Sequence, residues 1–87
     1  MSADPAAAKQ LAEVLAPLDE RDDLLETLDT WFGVDLDRRA AATSLLIHPN
    51  TLDYRLRRMS ELIRRDLNSA VGTHLVGAAL LARKLGR

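Results

Sequence analysis

Ala40-Ala41-Ala42-Thr43-Ser44-Leu45-Leu46-Ile47-His48-Pro49-Asn50-Thr51-Leu52-Asp53-Tyr54-Arg55-Leu56-Arg57-Arg58 is the stretch that decides the fold. Pro49 disfavours helical geometry at His48 yet suits the first position of a helix. The stretch therefore divides into one helix ending near Leu45 and a second beginning at Pro49. Asp37 is placed to cap the first, which spans Arg38 to about Leu45. In the second, Leu52, Leu56, Met59 and Ile63 recur at helical spacing, a single buried stripe that carries the helix to about Arg64 or Arg65. Two short helices joined by three or four residues have the dimensions of a helix-turn-helix. Its core is Ala41 and Leu45 from the first helix, Ile47 in the turn, and Leu52 and Leu56 from the second. The small side chains of Ala40, Ala41 and Ala42 let the two backbones approach. A helical hairpin in any all-α domain shares this apolar pattern, so the polar residues must say what it is for.

Outward from this pair the chain continues to read as helix. Asp4-Pro5 resembles a helix start, with Leu11, Val14, Leu15 and Leu18 following, and this helix should stop near Pro17. A second start lies at Asp22 or Asp23, leading into Leu24, Leu25, Leu28, Trp31 and Phe32, and Gly33 ends it. Beyond the hairpin, Ser69 can cap a last helix from about Ala70 to Leu85, closed by Gly86. It carries Val71, Leu75, Ala78, Ala82 and Leu85 on one side. Val76, Ala79 and Leu80 widen its apolar surface, which fits either a dimer contact or a broad intramolecular face. The expectation is an all-α fold, a small bundle of about five helices in one domain over residues 1–87. Its N-terminal helices occupy 4–32, the helix-turn-helix core about 37–65, and the C-terminal helix about 69–85.

Composition narrows the function. The chain has 87 residues, 47% hydrophobic and 29% charged, with three aromatic side chains and no cysteine. Disulfides, thiolate metal sites and cysteine nucleophiles are excluded, and the cytoplasm is the expected compartment. No apolar run approaches a membrane span, and no signal pattern follows Met1. Enzyme chemistry lacks its parts: there is no phosphate-cradling glycine loop, and neither His48 nor His74 stands in a metal-ligand spacing. The acidic Asp19-Glu20-Arg21-Asp22-Asp23 run lacks the glycine and the terminal glutamate of a calcium loop. No catalytic residue, metal site or cofactor is therefore expected.

The formal net charge of −1 conceals a division. Residues 1–37 sum to −8 and residues 38–87 to +7, with seven arginines between Arg38 and Arg65. A basic half of this kind is the electrostatic footprint of nucleic-acid binding, and also of two oppositely charged surfaces that attract within a fold or between subunits. At about 100° per residue, Asn50, Tyr54, Arg57 and Glu61 fall opposite the buried stripe of the second helix. Asn50 can pair with adenine, Arg57 with guanine or phosphate, and Tyr54 with phosphate or a thymine methyl, so these three are the candidate base contacts. Thr51 and Arg58 on one flank, with Arg38 and Arg39 at the start of the preceding helix, are the candidate phosphate contacts. Each has an ordinary alternative: Asn50 as a cap, Tyr54 lying over a neighbouring helix, the arginines as solvated charge. Arg55 points to the core edge and should support the fold, Asp53 should cap the first turn, and His48 should serve as turn residue or cap. A rival for the whole chain is a helical protein-interaction or dimerisation module whose basic face docks an acidic partner.

At Leu24-Leu25-Glu26-Thr27-Leu28, and above all at Ile47-His48-Pro49-Asn50-Thr51-Leu52 with Tyr54-Arg55-Leu56-Arg57-Arg58, the sequence resembles the C-terminal helix-turn-helix domain of PucR/CdaR-type bacterial transcriptional regulators. The resemblance covers roughly Leu18 to Ala82. It implies sequence-specific binding of double-stranded DNA through a recognition helix at about 49–65, with Asn50, Thr51 and Tyr54 at the groove. It also implies a homodimer in the functional regulator, and no small-molecule site within these 87 residues. Asp53 departs from the basic or neutral polar residue frequent in relatives, and the loop before Asp37 lacks their Gly-Asn pair.

Overall fold

The computed structural model describes residues 5–86, so the expected capping role of Asp4 lies outside the described residues. Five α-helices follow in order, with no strand among the described residues: α1 (Pro5–Ala12), α2 (Asp22–Gly33), α3 (Arg38–Leu45), α4 (Pro49–Ile63) and α5 (Ala70–Leu85). The all-α bundle with an embedded helix-turn-helix is thus the observed architecture.

The first helix differs from its expected form. It is α-helical only to Ala12 and then tightens into a 3₁₀ segment, Glu13–Leu18, that runs through Pro17. Pro17 has no N–H to give and its ring crowds the carbonyl four residues back, so i to i+3 geometry is the way to continue. The tightening places Leu15 and Leu18 on one line, and both are fully buried. This segment packs against α1, α2, α4 and α5, which makes it the central element of the core.

Helix ends follow local chemistry. The Asp37 side chain accepts from the Ala40 N–H at 3.1 Å, and Ser69 Oγ accepts from the Gly72 N–H at 2.9 Å, so α3 and α5 begin where their caps stand. Leu24, Leu28 and Trp31 of α2 and Leu52, Leu56, Met59 and Ile63 of α4 form the buried stripes. Trp31 meets Phe32 edge to face, with ring centroids 5.6 Å apart.

The phase of α5 also departs from expectation. Its inward face is Gly72, Val76 and Ala79, packed on α1 and the 3₁₀ segment. Of the stripe Val71, Leu75, Ala78, Ala82 and Leu85, three members are exposed: Val71 (81%), Leu85 (76%) and Ala78. The helix is apolar almost all round, so its own pattern does not say which side is inward. Its neighbours decide, and Gly77 adds to them: a Cβ there would stand 2.8 Å from the Phe32 ring, so the glycine makes room for that side chain.

Candidate nucleic-acid interface

The turn between α3 and α4 is built by one left-handed residue. Leu46 adopts φ 58°, and the N–H of the next residue, Ile47, donates to the Ala42 carbonyl at 3.0 Å, closing α3. The reversal turns Ile47 toward the core and leaves the Leu46 side chain 91% exposed beside the start of α4. Ala41, Leu52 and Leu56 are buried and Leu45 and Ile47 half-buried against them, so all five expected residues of the helix-turn-helix core meet the same cluster. Ala42, also buried, belongs with them.

His48 opens α4. Its Nδ1 accepts from the Asn50 N–H at 3.0 Å, which fixes the ring nitrogen as the helix cap. Replacing His48 with alanine should therefore cost about 0.5–1 kcal/mol of stability, and serine should restore most of it. A urea midpoint unchanged in the alanine variant would refute the cap.

With His48 in that role, the Asn50 amide is left free for other partners: its side chain is exposed and makes no hydrogen bond among the described residues. Tyr54 does not lie over a neighbouring helix but stands 57% exposed. The Arg57 guanidinium sits 6.0 Å from the Tyr54 ring centroid and makes no ion pair among the described residues. Asn50, Tyr54 and Arg57 thus share one outward face of α4 at i, i+4 and i+7. Thr51 is exposed beside them. Arg58 is held by Glu61 at 3.3 Å in a solvent-exposed pair, and Arg39 is exposed at the start of α3.

Asp53 behaves differently from expectation. Asp53 does not cap the first turn of α4; its carboxylate accepts from Arg38 at 2.9 Å. Arg38 also donates to the Asn68 side-chain oxygen and lies 5.6 Å over the Trp31 ring, so it ties α3 to α4 and to the loop before α5. Nothing in the sequence flags Asn68, which is thirty positions from its partner. The contact has a consequence for charge, since Asp53 both occupies Arg38 and adds a negative group to the basic face. Asp53→Asn should strengthen binding to duplex of any sequence about three- to tenfold at low salt. The single tryptophan, under Arg38, should report the released guanidinium by its fluorescence. Equal affinity of variant and wild type would place Arg38 off the phosphate path.

Arg55, as expected, serves the fold: it donates to the buried Thr27 hydroxyl at 3.0 Å, while Thr27 donates to the Asp23 carbonyl at 2.7 Å. A threonine in the middle of the leucine stripe of α2 was the available signal for this buried polar link. At the far end of the molecule, Arg83 pairs with Asp19 at 2.6 Å and Lys84 with Asp29 at 2.5 Å. Part of the acidic half is thereby neutralised by α5, whose two cations in turn are not part of the α3–α4 face. No helix among the described residues is long and apolar enough to cross a membrane.

A tight helix pair, capped and locked by its turn, that presents an amide, a phenol and arginines outward defines a helix-turn-helix domain of the DNA-binding kind. The chain belongs to the family of PucR C-terminal helix-turn-helix domains, whose model matches residues 24–82. It is 43% identical over 65 residues to the carbohydrate diacid regulator of Escherichia coli (strain K12), covering 71% of this chain and 17% of that protein. It is 37% identical over 51 residues to the DNA-binding transcriptional activator AdeR of Bacillus subtilis (strain 168), covering 59% of this chain and 12% of that protein. The chain thus spans less than a fifth of the length of these relatives. No solved structure is significantly similar to it. The family is a transcription-regulator domain, not an enzyme.

Proposed function

We propose that this domain binds double-stranded DNA in a sequence-specific manner, as the reading head of a cytoplasmic bacterial transcriptional regulator, with α4 in the major groove. The observation that carries the reading is the outward face of α4: Asn50, Tyr54 and Arg57 are exposed in successive turns, and no side-chain hydrogen bond or ion pair within the described fold engages them. In the groove, Asn50 reaches adenine, Arg57 guanine, and Tyr54 a thymine methyl or a phosphate. Arg39, Thr51 and Arg58 flank that face and meet the phosphates, and Arg38 joins them once it exchanges Asp53 for the DNA backbone. The family membership and the name carried by the Bacillus subtilis relative support the same reading. Two copies, each on one half-site and about one helical turn apart, complete the site.

Fluorescence anisotropy with a randomised duplex of about two turns tests it. Three phosphate-bound cations per domain give a log–log salt slope of about −2.7, so affinity should fall about 40-fold between 50 and 200 mM salt. Weak binding that ignores salt would instead favour docking of the basic face on an acidic protein.

A further inference from the structure

We propose that α5 pairs with the α5 of a second copy of this chain, antiparallel and two-fold about Ala78. Counting about 100° per residue from Ala78, the side chains of Val71, His74, Leu81 and Leu85 lie within about 60° of it. All five are exposed, with Val71 at 81%, Leu81 at 57% and Leu85 at 76%. This is a second apolar face on a helix whose first face, Gly72, Val76 and Ala79, is already spent on the core.

Charge and symmetry select the occupant. No Asp, Glu, Lys or Arg stands between residues 70 and 82, although 29% of the chain is charged. The two cations of the last turn fold back onto Asp19 and Asp29 of their own chain. Nothing along this face repels an identical face, and nothing on it rewards a charged partner. The arrangement is also self-complementary. Val71 and Leu85 stand equally far from Ala78 on either side, so an antiparallel copy sets each opposite the other, with the small alanine letting the backbones approach at the centre. Parallel pairing would bring the Arg83 and Lys84 ends together, whereas antiparallel pairing separates them and opposes the helix dipoles. A strip one helix long buries on the order of 1,000 Å² over both copies, the lower edge of specific interfaces, so the dimer dissociates in the micromolar range or above. The inference deepens the two-half-site reading and rests on it only for its use, because the test contains no DNA.

The chain has no cysteine, so single cysteine substitutions can be joined selectively with a short bis-maleimide. Ala78→Cys should cross-link to itself. Val71→Cys and Leu85→Cys should each fail alone and join each other when mixed. Leu81→Glu should raise the dimer dissociation constant at least about tenfold in sedimentation equilibrium, since it puts a carboxylate into each half of the contact, with an unchanged thermal midpoint at concentrations where both proteins are monomeric. Self-linking of Val71→Cys, absence of any Ala78→Cys product above an exposed control such as Asp35→Cys, or wild-type association of Leu81→Glu would each overturn the proposal. A dimer that ignores DNA would leave this inference standing and sink the DNA reading; a monomer that binds DNA would do the reverse.

Discussion

Replacing Asn50, Tyr54 and Arg57 together with alanine should lower affinity for a selected duplex at least about 100-fold and leave the fold intact. Asn50 and Arg57 can each make a bidentate base contact worth about 1–3 kcal/mol, so the two at about 2 kcal/mol each already exceed a factor of 100. Stability should barely move, because all three side chains are exposed and none holds two elements together. Within the fold the substitutions remove the stacking of Arg57 over the Tyr54 ring, an exposed interaction inside one helix. Affinity for random duplex should fall much less and the salt slope should hold, because the three phosphate-bound cations, Arg38, Arg39 and Arg58, are untouched. Anisotropy against a selected and a scrambled duplex, with a melting curve beside it, separates the outcomes. Equal losses on both duplexes would reduce these residues to generic charge. No loss on either would move the reading surface off α4.

The boundaries of α3, α4 and α5 were legible because each begins on a local signal: Asp37, the His48-Pro49 pair, and Ser69. The outward face of α4 was legible for a related reason, since four buried residues at regular spacing leave only one direction for Asn50, Tyr54 and Arg57. What escaped was set by contacts between distant positions. The 3₁₀ segment was hidden because Pro17 signals that an α-helix cannot continue, not that a tighter helix will. The phase of α5 was hidden because a helix apolar on nearly every side is oriented by its neighbours, here α1, the 3₁₀ segment and the Phe32 ring at Gly77. The partnership of Arg38 with Asp53 and Asn68 depends on three elements meeting, and no periodicity encodes it.

Gly72→Ala should destabilise the domain by about 2–3 kcal/mol, although the same exchange at an exposed position inside a helix gains up to about 1 kcal/mol. The difference is tertiary. A Cβ at Gly72 would stand 2.0 Å from the Asp66 carbonyl oxygen and 2.8 Å from its carbon, both backbone atoms that cannot rotate away. The loop must move, and it is tied at several points: Leu67 N–H donates to Ser60 Oγ at 3.1 Å, Asn68 N–H to Asp66 Oδ1 at 2.8 Å, and the Ser69 hydroxyl to the Asp66 carbonyl at 3.1 Å. Displacing it also uncovers Leu67, which is 3% exposed, so overpacking and reduced burial act together. For a domain of this size the thermal midpoint should drop by roughly 10 °C or more. Gly33→Ala is the matched control. Outside its chain neighbours and its own helix backbone, no atom lies within 4 Å of a Cβ added there, so that variant should melt at or slightly above the wild type. Because Asn68 in the same loop holds Arg38, Gly72→Ala should also loosen the Arg38–Asp53 pair and change the emission of Trp31 at temperatures where the domain is still folded. A destabilised variant with wild-type emission would show that the loop and the α3–α4 face are mechanically separate.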